Sequence, residues 1–128
     1  MRIKIEEVLD AARGSIRFRS GAASVEGRWA GTGEVSVGRE VDVELEVAEE
    51  KIISARPTLG LPADPVAQEG GEVVIAGRTE RVGDDGIIEF RVGQDVILLE
   101  RIGALADVVE GTHLELRVPE LELYPRDL

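Results

Sequence analysis

Cysteine and asparagine are absent from this 128-residue chain, and lysine, histidine, methionine and the aromatics are scarce. Without cysteine, neither a disulfide framework nor a thiolate metal site can form. Lys4 and Lys51 are the only lysines, so the basic charge is almost all arginine, a bias expected of a GC-rich bacterial genome. The aromatics are Phe18, Trp29, Phe90 and Tyr124, too few for a stacking platform that reads sugars or successive bases. No stretch approaches the ~18 apolar residues of a membrane span. The opening MRIKIEEVLD alternates from its start and lacks the apolar core of a signal peptide. A soluble cytoplasmic protein that does not engage membrane is the expectation.

Catalytic signatures are missing too. Nucleophilic catalysis needs an activated side chain with a base beside it, and no serine sits in an elbow or S-x-x-K setting. With 26 acidic residues, a pair of carboxylates can be found anywhere, and nothing singles one out as general acid and base. His113 is the lone histidine, outward by parity. Asp84-Asp85 offer too few oxygens for a hard cation and fit a turn. The chain is expected to be no enzyme, with no cofactor and no metal.

What the chain does contain is alternation. Ile3 and Ile5, Ile16 and Phe18, and Val41, Val43 and Leu45 each recur with a period of two, as do Ile88, Phe90 and Val92, and Leu114, Leu116 and Val118. That period marks half-buried strands. Val73-Val74-Ile75-Ala76 and Val96-Ile97-Leu98-Leu99 are unbroken apolar runs, the pattern of strands covered on both faces. Gly83 to Gly86 and Gly93-Gln94-Asp95 supply turns between them. A single helical turn fits around Ala104–Val109. Leu121 and Leu123 continue the alternation on odd numbers, and Pro119 stands where parity changes, so a bulge or corner is expected there.

The segment 14–21, GSIRFRSG, matches 86–93, GIIEFRVG, at five of eight positions. With one inserted residue, Val41, Val43 and Leu45 meet Leu114, Leu116 and Val118. Internal similarity at a fixed offset implies repeated structure. The predicted fold is therefore all-β: an antiparallel β-barrel or sandwich of OB-like character, one domain over 1–128. Two duplicated five-strand units, 1–56 and 72–124, would share a core and be joined by the Pro/Gly-rich stretch 57–71.

Ser54-Ala55-Arg56 resembles the first three residues of the Ser-Ala-Arg-Asn motif that opens the halves of molbindin-type domains, which are duplicated and OB-like. That resemblance implies binding of a small oxyanion such as molybdate. Pro57 stands where the motif has asparagine, and the segment closes a half rather than opening one.

Charge supplies the functional candidates. Net charge is −11, which opposes general nucleic-acid binding because that rests on neutralising phosphates. Residues 1–39 carry net +2 and residues 40–128 net −13. Glu40, Asp42, Glu44 and Glu46 alternate along one strand face and Glu49 and Glu50 follow, making a line of negative potential. The leading expectation is a non-catalytic module whose acidic face docks a basic protein, for instance an immunity-type inhibitor covering a basic active site. The alternative is an OB-like module for single-stranded nucleic acid or an oxyanion, using Arg17, Arg19, Arg28 and Trp29. A structural subunit of a larger assembly is a third.

Overall fold

The computed structural model describes residues 1–31 and 35–126. The described residues form eleven strands: β1 (Arg2–Asp10), β2 (Ser15–Ser20), β3 (Ala23–Trp29), β4 (Glu40–Glu46), β5 (Ser54–Pro57), β6 (Val66–Glu69), β7 (Glu72–Val82), β8 (Ile87–Val92), β9 (Asp95–Glu100), β10 (His113–Val118) and β11 (Glu122–Pro125). Glu49–Lys51 and Gly103–Leu105 form short 3-10 turns. Among the described residues no helix is long and apolar enough to cross a membrane.

The chain is all-β, as its alternation predicts. Five strands close a barrel in the order β1-β2-β3-β11-β4, with β4 returning to β1 through Ile3 opposite Val41. The others form an open sheet, β5-β10-β7-β8-β9, with β6 added to the first half of β7. Each inward set points where its parity requires: Ile3, Ile5, Ile16, Phe18, Val43 and Leu123 are buried in the barrel, and Ile75, Ile88, Phe90, Val92, Leu114 and Leu116 on the sheet. The buried side chains of both form one continuous apolar cluster.

Two features depart from local pattern. β6 lies at the end of the Pro/Gly-rich stretch, where Val66 alone is fully buried, too short a signal to read as a strand. β11 runs parallel to β3, with Leu123 opposite Trp29. The parity change at Pro119 explains how it gets there. β10 ends in the open sheet, the chain turns at Pro119-Glu120, and β11 enters the barrel between β3 and β4.

Ser20 and Thr79 are the buried polar side chains among the described residues, and Thr79 lies deepest. It is fully buried on β7, and its hydroxyl has no hydrogen-bond partner among the described residues. A buried unsatisfied hydroxyl costs about 1–3 kcal/mol. Thr79→Val keeps the branched shape and is expected to raise stability by about 1–2 kcal/mol, measured by chemical denaturation. A loss of stability would mean that the hydroxyl is satisfied in solution.

Candidate functional site

The acidic residues of β4 stand on its outer face because Val41, Val43 and Leu45 take the inner one. Its two neighbours treat the two ends of the stripe differently. On the β1 side, Arg2 sits 3.3 Å from Asp42 and 3.9 Å from Glu40. On the β11 side, Glu44 is opposite Tyr124 and Glu46 is opposite Glu122. Arg126 reaches Glu44 at 3.7 Å. Among the described residues, no basic side chain pairs with Glu46 or Glu50. Glu49 instead accepts the backbone N–H of Glu100 at 3.0 Å. The line of six therefore has arginine partners at Glu40, Asp42 and Glu44, and among the described residues none at Glu46, Glu49 or Glu50.

The Glu44–Glu46 end of the stripe opens on a cleft of about 330 Å³ between β4, β11 and β9. Glu44, Glu46 and Tyr124 form one wall, and Val96 and Leu98 the other. Val96 is 43 % exposed and Leu98 65 %, a correction to their place in a run expected to be buried on both faces. One face of β9 is covered by the core and the other is open, so only Ile97 and Leu99 reach the interior. Arg126 bridges the cleft at one end, 3.1 Å from Asp95 on β9 and 3.7 Å from Glu44 on β4. The amine of Met1 holds the other oxygen of Asp95 at 2.5 Å.

Tyr124 gains its fixed position from Glu122. Its phenol donates to Glu122 Oε2 at 3.1 Å, while Arg28 binds the other carboxylate oxygen. The hydrogen bond to Glu122, reinforced by the charges of Glu122 and Glu46, raises the phenol pKa. Tyr124 is the only tyrosine, so its titration can be read directly from tyrosinate absorbance. It is expected to ionise above the usual value of about 10, and Glu122→Gln to bring it back down. A pKa raised in the folded state stabilises fully below the unfolded value, and that contribution fades as pH rises through the folded one.

The arginines of the alternative site are engaged elsewhere. Arg17 contacts Glu7 at 2.6 Å and Glu26 at 3.3 Å, and Arg19 lies 2.9 Å from Glu6. The Glu6 carboxyl is held below its usual range by hydrogen bonds from Ser24 and then Arg19. Arg28 pairs with Glu122 and lies 3.9 Å from Glu120. Arg17 and Arg19 thus sit together on β2, whereas Arg28 and Trp29 are at the end of β3. Trp29 lines a second, broader concavity of about 740 Å³ with Arg13, Ile16, Val35 and the back of Tyr124. Its indole N–H is buried and has no acceptor among the described residues. His113 is half-buried on β10, opposite Arg78. Asp85 accepts the Ile87 N–H at 3.0 Å, as a turn residue does.

Comparison with known proteins returns no matching family model, no significantly similar curated protein and no significantly similar solved structure.

Proposed function

We propose that this protein is a non-catalytic β module that binds a basic protein in the cleft between β4, β11 and β9. The observation that carries the proposal is the pairing of exposed Val96, Leu98 and Tyr124 with the carboxylates of Glu44 and Glu46 around one concavity. Stable interfaces have an apolar centre with an aromatic anchor and a polar rim. A rim of one sign also speeds encounter with a partner of the other sign. Glu49 and Glu50 extend that field, and an immunity-type inhibitor is one form such a protein takes. Under the same proposal the chain is two five-strand units, β1–β5 and β7–β11, that exchange their last strands. β5 lies beside β10 and β11 beside β4, so each OB-like unit is completed by the other.

The experiment is affinity capture from native lysate at low salt, with wild type beside Glu44→Lys/Glu46→Lys. A basic protein retained by wild type, released by salt and missed by the variant is the expected result. Equal capture by both would remove the acidic cleft from the reaction.

The small-ligand alternative draws support from the Trp29 indole N–H and from Arg13, which lack an acceptor and a carboxylate partner, respectively, among the described residues. Trp29 is the only tryptophan. Its fluorescence during titration with molybdate and with a short oligodeoxynucleotide separates the oxyanion from the nucleic acid, and no response to either would set this alternative aside.

A further inference from the structure

We infer that the cleft takes its partner as an added strand: an extended basic segment that pairs with the free edge of β9. This inference rests on the protein-binding proposal above and specifies the mode of binding.

Within the described sheet, β9 is hydrogen-bonded only to β8. The direction of its free backbone groups can be fixed from one contact. The Glu100 N–H points away from β8, because it donates to the Glu49 carboxylate at 3.0 Å. Backbone groups alternate sides along a strand, so the N–H and C=O of Leu98 and Val96 also point off the edge. Glu49 caps the end of this row and leaves Val96 and Leu98 open.

Edges of this kind are ordinarily guarded by lysine, proline or a bulge. The opposite edge of the same sheet is guarded: β5 is four residues long, ends in Pro57 and exposes Arg56. β9 has six residues, regular pairing and two exposed aliphatic side chains. Strand addition uses such an edge, with backbone hydrogen bonds for affinity and alternate side chains for specificity.

The chemistry of the occupant is set by charge. Glu44 and Glu46 line the facing wall, and Glu100 stands at the end of the row. The chain's own Arg126 already places a guanidinium between Glu44 and Asp95, the contact a basic side chain of the partner would extend along the cleft. A second copy is a poor occupant, since it would bring its own Glu44, Glu46 and Glu100 against these at net charge −11.

The test uses the full chain with three probes: a short peptide alternating lysine and valine, the same peptide with alternate amides N-methylated, and a glutamate–valine counterpart. Expected are binding of the first by titration calorimetry and slowed hydrogen exchange at the Val96 and Leu98 amides. N-methylation removes the donors that pair with the edge and should weaken binding by about tenfold or more. Leu98→Pro removes one edge donor without disturbing the β8 ladder, and should weaken binding more than Leu98→Ala. If the lysine–valine peptide binds equally with and without N-methylation, yet loses binding with Glu44→Lys/Glu46→Lys, strand addition is overturned while the basic-partner proposal stands. No binding of either lysine peptide overturns strand addition, and equal lysate capture by wild type and Glu44→Lys/Glu46→Lys would be needed to overturn the wider proposal. Protection of Val96 and Leu98 that grows with protein concentration alone would assign the edge to a second copy instead.

Discussion

A chain ending at Glu120 is expected to lose its barrel, although the strand removed lies far along the chain from the strands it pairs with, Glu122 facing Glu46 on one side and Arg28 on the other. β11 supplies the wall between β3 and β4, and Leu121 and Leu123 are fully buried. Truncating one such leucine to alanine costs about 2–5 kcal/mol. Removing both, with the ladder on either side, approaches the ~5–15 kcal/mol that stabilises a whole domain. Two facing edges would then be left unpaired. Trp29 lies beside β11, so its emission should shift to that of an exposed indole. A synthetic peptide of residues 119–128 should restore the native spectrum. Retention of native Trp29 emission and cooperative unfolding in the shortened chain would mean that β11 is not needed to close the barrel. By the same topology, neither half should fold alone, because β5 sits in the open sheet and β11 in the barrel.

Phe90→Ala should be the most damaging single truncation in the open sheet, at about 3–5 kcal/mol. The ring is 1 % exposed and packs over Gly77 of β7. A Cβ built on Gly77 would lie 2.6 Å from the Phe90 ring and 2.4 Å from the Arg91 carbonyl, so aromatic and glycine are matched. Once the ring is gone, Gly77 has no side chain to fill the space, and the two β strands cannot approach further without breaking the Thr79–Phe90 register. The cavity term should therefore be near its upper range. Chemical denaturation measures it, and a cost below ~1.5 kcal/mol would show that the core collapses around the gap. Gly77→Ala would press on both the Arg91 backbone carbonyl and the Phe90 ring, and overpacking of this kind typically costs about 1–3 kcal/mol.

The acidic wall was legible in the sequence because alternation assigns a face. Once Val41, Val43 and Leu45 are inward, Glu40, Asp42, Glu44 and Glu46 can only be outward. The other wall was not. Val96-Ile97-Leu98-Leu99 has the same apolar run as Val73-Val74-Ile75-Ala76, and the run carries no mark of whether a further layer covers its second face. β7 is central, with Val74 and Ala76 buried, while β9 is an edge with Val96 and Leu98 exposed. The basic patch shows the converse. Its arginines were correctly outward, but the carboxylates that engage them, Glu6, Glu7, Glu26 and Glu122, come from other strands whose register decides the pairing.

By itself the sequence determined the all-β class, most of the strands and the inward face of each, because a two-residue period is a local property of extended backbone. It also located the corner at Pro119, where parity changes and a backbone donor is missing. Only the tertiary structure decided which strands are neighbours. Local spacing carries no record of β11 crossing into the barrel, of β6 joining β7, or of β9 being left as an edge, since these follow from long-range pairing that satisfies backbone hydrogen bonds and buries both inward sets in one cluster. The cleft is a product of that second step, for its acidic wall belongs to the barrel and its aliphatic wall to the open sheet.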